Sequence, residues 1–133
     1  MKEMKPKNIA LRANQRAQRY AKTPEGRVQA YGMAELKKRG CLVRKIGYEG
    51  RRGCPDHLVL VPGFELEEPD MPRVFSYQEP RVIFIEYKAT EDTQPEEHQL
   101  REHGRMRAVG ADVRVIGSKR QVDELVKELF PCE

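Results

Sequence analysis

Three charged side chains occur at spacings that suit chemistry assisted by a metal ion. Asp56 follows Pro55 at the head of one apolar run, and Glu86 and Lys88 lie two residues apart at the end of a second. Side chains alternate along a β-strand, so Glu86 and Lys88 should point to the same face. Two carboxylates and an ammonium group among buried residues are costly unless they bind a cation or take part in a reaction.

The two carboxylates would supply hard oxygen ligands for Mg²⁺ or Mn²⁺. If the two apolar runs pair as strands, Asp56 and Glu86 face one another at one end of the sheet. The backbone carbonyl of Tyr87 is a candidate third ligand. A bound ion would polarise a phosphate oxygen and lower the pKa of a bound water. Lys88 would orient the attacking water or stabilise the charge growing on the phosphorus centre.

The competing interpretation of Glu86 and Lys88 is an exposed ion pair on a half-buried strand, which is common and contributes little to stability. Residues 82–85, which precede them, are all apolar. That run favours a buried strand, and therefore a functional reason for the charges.

Composition predicts one compact domain. The chain has 133 residues, 38% of them hydrophobic and 35% charged, which suits a modest single core. It contains neither an apolar run of about 18 residues nor the apolar segment of a signal peptide, so the expectation is a cytoplasmic protein without membrane association. The cysteines at 41, 54 and 132 fit no zinc-binding spacing and are expected to be free thiols in a reducing compartment.

Positive charge is concentrated at the start of the chain. Residues 1–22 carry seven basic residues and one acidic residue, whereas the rest carry 18 basic and 20 acidic residues. We therefore divide the chain into a basic arm, 1–22, and one domain, 23–133. The arm, with Arg16 and Arg19, would contact a phosphate backbone. A solvated segment that only aids solubility is the alternative.

The pattern of the chain predicts the order α-β-β-β-α-β-α. A helix from Thr23 to about residue 39 would place Glu25 at the end of its inward stripe, in line with Gln29, Gly32 and Leu36. Four strands are predicted, over 41–46, 57–61, 81–89 and 112–116. The first three can be antiparallel neighbours, and the last two enclose a right-handed crossover. The expected architecture is an α/β fold with a central mixed sheet flanked by helices.

The later helices and the long connection are predicted from local signals. Thr93–Glu96 resembles a capping box that opens the second helix, with Leu100, Met106 and Val109 inward and Gly110 at its end. His98 and His103 would face solvent on that helix. Ser118 would cap the third helix. Residues 62–80 should form a long acidic connection with a short strand near Val74–Tyr77.

These residues together resemble the PD-(D/E)XK nuclease superfamily. They are most similar to its VRR-NUC branch, the virus-type replication–repair nucleases, and to the small stand-alone phage members of that branch. The resemblance rests on Gly53-Cys-Pro-Asp56, Ile85-Glu-Tyr-Lys88 and Gln99 in the following helix. Glu25 in the first helix and Gly110 fit the same pattern. It covers roughly residues 23–120.

The resemblance implies a restriction-endonuclease-like core and a catalytic set of Asp56, Glu86, Lys88, Gln99 and Glu25. In that family pattern Asp56 and Glu86 bind Mg²⁺ or Mn²⁺, Lys88 assists the nucleophile, and Glu25 reaches the metal directly or through water. Gln99 is the helix residue characteristic of the branch.

The implied activity is a metal-dependent endonuclease that hydrolyses DNA, structure-specific for branches such as junctions or flaps, and working as a homodimer. Arg51 and Arg52, which precede the motif in a glycine-rich loop, would contact phosphates. Two alternatives stay open: a catalytically inactive nucleic-acid-binding module with the same fold, and a sequence-specific endonuclease. A sequence-specific endonuclease needs an element that reads base edges. Only the acidic segment 64–80 is long enough and not already assigned to the core.

Overall fold

The computed structural model describes residues 22–67 and 75–131. Almost all of the predicted arm, including Arg16 and Arg19, lies outside these residues. The elements are α1 Pro24–Lys38, β1 Leu42–Lys45, β2 His57–Val61, β3 Phe64–Glu67, β4 Phe75–Gln78, β5 Arg81–Tyr87, α2 Glu97–Ala108, β6 Asp112–Ile116 and α3 Lys119–Leu129. No helix in the described part of the chain is long and apolar enough to cross a membrane.

The central sheet has four strands in the order β1-β2-β5-β6. β1 pairs with β2 and β2 with β5 in antiparallel fashion, while β5 and β6 are parallel. The parallel pair requires a crossover, and α2 supplies it. The predicted mixed sheet with flanking helices is therefore confirmed.

The connection between β2 and β5 contains more structure than the sequence predicted. β3 and β4 pair as a separate antiparallel two-stranded sheet. The short strand expected near Val74–Tyr77 is found at Phe75–Gln78, but its partner Phe64–Glu67 was missed. Phe64 stacks on Phe130 after α3, with ring centroids 5.9 Å apart, so the base of this hairpin packs on the main domain.

The apolar core lies on one face of the central sheet, beneath α1 and α3. Val59, Ile83 and Ile85 are fully buried at its centre. α3 contributes the apolar stripe Val122, Leu125, Val126 and Leu129. α1 contributes Val28 and Leu36, and the predicted inward stripe of α1 is confirmed because Gln29 and Gly32 are buried too.

The ends of α1 and α3 follow their local signals. The Thr23 hydroxyl accepts a hydrogen bond from the Gly26 N–H at 2.9 Å, and the Ser118 hydroxyl accepts one from the Gln121 N–H at 3.1 Å. Such side-chain caps satisfy backbone donors that the helix leaves without partners. The first turn of α1, which carries Glu25, is therefore well anchored.

α2 corrects two predictions. Its N-cap is Glu96, not Thr93, because Pro95 disfavours helical backbone at Gln94 and the helix can begin only afterwards. Leu100 is 47% and Val109 87% exposed, so neither packs inward. The buried residues of α2 are Glu102 and His103 instead, and the helix lies on the sheet through polar side chains. Gly110, with φ +97°, ends it as predicted.

Candidate active site

The pairing of β2 with β5 brings the two predicted carboxylates together. His57 is opposite Ile85 in the register, so Asp56 and Glu86 stand side by side where β2 begins and β5 nears its end. The Oδ2 atom of Asp56 accepts a hydrogen bond from the backbone N–H of Tyr87 at 2.7 Å. The Asp56 carboxylate is thus fixed to the backbone of the strand that carries Glu86.

Glu86 is a buried carboxylate in an unfavourable environment. It is 2% exposed. Burial first, and then the charge of Asp56, raise the pKa of Glu86 to about 7, while Lys88 opposes the shift. Its Oε2 atom is buried and has no hydrogen-bond partner among the described residues. A buried acceptor without a partner costs free energy, so this oxygen is a candidate ligand for a cation.

Gln99 joins Glu86 to Lys88. Its amide nitrogen donates to Glu86 Oε1 at 2.8 Å, and its amide oxygen accepts from Lys88 Nζ at 2.8 Å. The same oxygen accepts from the backbone N–H of Glu96 at 3.0 Å, which ties the side chain to the first turn of α2. Lys88 Nζ lies 3.6 Å from Glu86 Oε1. Gln99 therefore orients the Glu86 and Lys88 side chains at once.

Burial also raises the pKa of Asp56, against the lowering effects of the Tyr87 N–H, Lys88 and Lys45. Both carboxylates thus share a site in which two negative charges are costly. A divalent cation between them would remove that cost, since an opposite charge close to a carboxylate favours its ionised form. The raised values mark the pair as a functional-site candidate.

Glu25 approaches the site from α1. Its charge is near enough to raise the pKa of Glu86, as a smaller cause than burial, Asp56 and Lys88. Within the described part of the chain, no three His, Cys, Asp or Glu side chains are arranged to hold an ion by themselves. Asp56 and Glu86 are therefore the candidate donors, and further oxygens would have to come from backbone, water or substrate. That set suits Mg²⁺, which keeps several waters when two carboxylates bind it.

The glycine loop before Asp56 is fastened to α2. Gly53 has φ +96°, and a Cβ there would lie 2.9 Å from the Cβ of Glu102. Arg51, two residues earlier, donates to Glu102 Oε1 at 3.0 Å. Arg51, which we predicted to contact phosphates, is thus partly engaged in holding the loop, although its side chain is 55% exposed. Arg52 is exposed beside it.

The structure buries two histidines, and only His103 lies at a place that the sequence did not predict. His103 is fully buried on α2, not solvent-facing, and neither ring nitrogen has a hydrogen-bond partner among the described residues. His57 is 1% exposed and contacts Gln29 of α1. His57 lies on the strand face opposite Asp56, as the alternation of side chains in β2 predicts. The hydrophobic pattern of α2 could not have placed His103, because the buried stripe of that helix is polar.

Known proteins resemble the chain in both sequence and structure. A protein named "Putative nuclease p44", from Acyrthosiphon pisum secondary endosymbiont phage 1, is 33% identical over 95 residues, which are 71% of this chain and 84% of that protein. A solved structure described as a VRR_NUC domain shares 45% sequence identity at a TM-score of 0.63, covering 79% of this chain and 96% of its own. No family model matches the chain.

The mixed sheet, with Asp56 and Glu86 side by side and Lys88 next to them, defines a nuclease of the PD-(D/E)XK class. Within that class, the chain belongs to the VRR-NUC family of nucleases. The resemblance predicted from Gly53–Asp56, Ile85–Lys88 and Gln99 is thereby confirmed.

Proposed function

We propose that the protein is a metal-dependent endonuclease that hydrolyses phosphodiester bonds in DNA, with Mg²⁺ or Mn²⁺ as the cofactor. The observation that carries this proposal is the shared hydrogen bonding of Gln99 with Glu86 and Lys88, next to Asp56. It holds a carboxylate and an ammonium group together in a buried site, where charged groups are costly unless they are paired or bind an ion.

Asp56 and Glu86 would hold the cation, with the Tyr87 carbonyl as a third ligand and Glu25 acting directly or through water. A cation bound there supplies Lewis-acid activation of a phosphate oxygen and of a water. Oε2 of Glu86 fits this role, because it is buried in the site and has no hydrogen-bond partner in the described part of the chain. The neighbouring Oε1 is engaged by Gln99.

Lys88 would act on the reacting phosphate. Its ammonium group is fixed by Gln99 at 2.8 Å, so it donates a preorganised hydrogen bond to the attacking water or to the phosphate oxygens. In hydrolysis, the water oxygen bonds to phosphorus and the bond from phosphorus to one sugar oxygen breaks. The water gives up a proton to solvent, and the leaving sugar oxygen takes one up from solvent. Charge grows on the phosphate oxygens during this step, and a fixed cation nearby stabilises it.

We infer from the family resemblance that the substrate is branched DNA, such as a junction or a flap. The experiment compares labelled linear, flapped and four-way DNA with Mg²⁺, Mn²⁺ or EDTA, using the wild type, Glu86→Ala and the control Glu97→Ala. Glu97 is an exposed carboxylate on α2, outside the site. We expect cleavage of branched DNA with either metal, no cleavage in EDTA or by Glu86→Ala, and wild-type cleavage by Glu97→Ala.

Each part of the proposal can fail separately in that experiment. Cleavage in EDTA would refute the metal dependence, and equal cleavage of linear DNA would refute the preference for branches. Binding without cleavage under every condition would favour the inactive nucleic-acid-binding module.

We further infer a homodimer, because a chain of 15.4 kDa has little surface with which to hold a branched substrate and a two-fold dimer presents two sites to two strands. Leu42, Leu60 and Val82 are cross-strand partners and remain exposed on the central sheet, which offers an apolar surface for the second copy. Sedimentation equilibrium should give twice the chain mass, and Leu60→Lys should give the monomer. A monomeric wild type would refute the dimer.

A further inference from the structure

The residues that directly follow the two catalytic carboxylates form a buried pair. His57 follows Asp56, and Tyr87 follows Glu86. Because side chains alternate, both rings point to the face opposite the carboxylates. The rings meet edge to face, with centroids 5.6 Å apart and planes at 74°. This pair joins the ends of β2 and β5 on the core side of the sheet.

Helix α1 lies across this pair. Gln29 Nε2 is 3.2 Å from His57 Nε2. One turn further on, Gly32 sits so close to the Tyr87 ring that a Cβ there would lie 2.3 Å from the Tyr87 hydroxyl oxygen. The helix is therefore held in register against His57 through a hydrogen bond and against Tyr87 through a close approach that only glycine permits.

The direction of the Gln29 hydrogen bond follows from the amide nitrogen, which is the atom that faces the His57 ring. The amide nitrogen of Gln29 can only donate, so Nε2 of His57 accepts and the ring is neutral. Burial is the first cause that lowers the pKa of His57 to about 4, with Lys45 and Lys37 adding to it. A neutral ring is consistent with that direction. The contact is buried on both sides, since Gln29 and His57 are both buried.

Glu25 lies on the same stripe of α1 as Gln29. Residues four apart on a helix occupy the same face, one turn from each other. The His57 contact thus fixes this stripe of α1 to the sheet one turn from Glu25. Thr23 and Pro24 start the helix just before Glu25.

We propose that Gln29 and His57 are positioning residues that hold Glu25 at the metal site. This inference rests on the proposed function, because it assigns Glu25 a role toward the cation. An apolar pair would fill the same space without the cost of burying polar groups. The hydrogen bond instead specifies one register of α1 against β2, since any sliding would leave two buried polar groups without partners.

The test measures Mn²⁺ affinity by isothermal titration calorimetry without DNA, for the wild type, Glu25→Gln, Gln29→Leu and the double variant. Residues behind metal ligands typically alter metal affinity by about 10- to 100-fold. We expect Gln29→Leu to weaken Mn²⁺ binding at least several-fold. The double variant should bind no more weakly than Glu25→Gln alone, because Gln29 acts through Glu25. His57→Gln, which keeps an acceptor for the Gln29 amide, should restore most of the affinity that His57→Leu loses.

Leu36→Ala is the matched structural control. Leu36 is buried on the same stripe of α1, two turns away from the His57 contact. Leu36→Ala should lower the free energy of unfolding and leave Mn²⁺ affinity unchanged. If it weakens Mn²⁺ binding as much as Gln29→Leu, the effect is general packing and the inference is wrong.

The remaining outcomes separate the two proposals. Unchanged affinity in Gln29→Leu, or additive losses in the double variant, would refute the inference while leaving the metal site intact. Asp56→Asn should abolish Mn²⁺ binding. If Asp56→Asn still binds Mn²⁺ like the wild type, the metal site itself is misassigned, and both the proposed function and this inference fail.

Discussion

The backbone N–H of Tyr87 donates to the carboxylate of Asp56 at 2.7 Å. The first carboxylate of the site is therefore held by the strand that carries the second. This hydrogen bond can still form when an amide of the same shape replaces the carboxylate, because the amide oxygen also accepts, although less strongly than a charged oxygen. The charge and the geometry of the site can thus be separated by mutation.

Asp56→Asn and Lys88→Ala should both reduce DNA cleavage at least about 100-fold, the typical effect of removing one electrostatic contact to a transition state. DNA binding should persist in both variants. Single-turnover cleavage and filter binding in Ca²⁺ would measure the two effects. Lys127→Ala, which removes an exposed lysine of α3, is the control and should cleave normally. Full activity of Asp56→Asn in Mg²⁺ would refute the assignment of Asp56 to the catalytic site.

Gln99→Ala should lower the cleavage rate by about 10- to 100-fold, as expected when a residue that orients metal-site side chains is lost. Glu86 and Lys88 remain but lose their shared partner. Gln99→Glu places a like charge beside Glu86, which raises the pKa of Glu86 further. The rising limb of its pH–rate profile should therefore move to higher pH. A profile that matches the wild type would contradict the contact with Glu86.

The raised pKa of Glu86 predicts an unusual dependence of stability on pH in EDTA. The unfolded chain loses the Glu86 proton at the ordinary carboxyl pKa of 4.5, whereas the folded protein keeps it up to its raised pKa of about 7. The stabilisation is therefore complete below about 4.5 and is lost as pH rises toward 7.

The comparison variant for this pH effect is Glu86→Gln, which cannot titrate. At each pH, the free energy of unfolding of Glu86→Gln is subtracted from that of the wild type. This difference cancels the opposite contribution of His57, whose pKa is lowered to about 4. The wild type should lose stability relative to Glu86→Gln between about pH 5 and 7.5 in urea titrations. Mn²⁺ should restore the stability of the wild type above pH 7, because it binds the ionised carboxylate. If the difference in free energy of unfolding between the wild type and Glu86→Gln does not change with pH, the raised pKa of Glu86 is refuted.

Gly53→Ala should destabilise the protein by about 1–2 kcal/mol or more, the usual cost of left-handed backbone at a residue with a Cβ. The new Cβ would also press on Glu102 at 2.9 Å. Gly104→Ala is the control on α2, where a Cβ meets nothing within 4 Å, and it should stabilise by roughly 0.5–1 kcal/mol. Urea denaturation measures both. Similar effects from the two substitutions would show that the glycine loop is not tied to α2.

Removal of residues 1–22 should weaken DNA binding and flatten its dependence on salt concentration. The arm carries seven basic residues, and each phosphate contact adds to the slope of log K against log salt. Fluorescence anisotropy between about 50 and 200 mM salt would measure that slope. Arg16→Ala with Arg19→Ala should give a smaller change in the same direction. An unchanged slope after deletion would exclude the arm from the interface.

The sequence alone determined the four strands of the central sheet, the caps of α1 and α3, and the strand faces on which Asp56 and Glu86 lie. These features follow from local rules: the alternation of side chains in β2 and β5, and hydroxyl caps at Thr23 and Ser118. The inward stripe of α1 could also be predicted, because its residues recur with the helical period of about 3.6 and include the apolar Leu36.

Only the tertiary structure decided what α2 buries. Hydrophobic period predicts the inward face of a helix from its apolar residues, and here Leu100 and Val109 are outside while Glu102 and His103 are inside. Gln99 pairs with Glu86 of β5, and Glu102 pairs with Arg51 of the glycine loop, across elements far apart in sequence. Such contacts carry no local signal, because a polar residue is buried only where the fold provides its partner. For the same reason the contact between Gln29 and His57 could not be predicted from the sequence, because it forms only where the fold places α1 across β2.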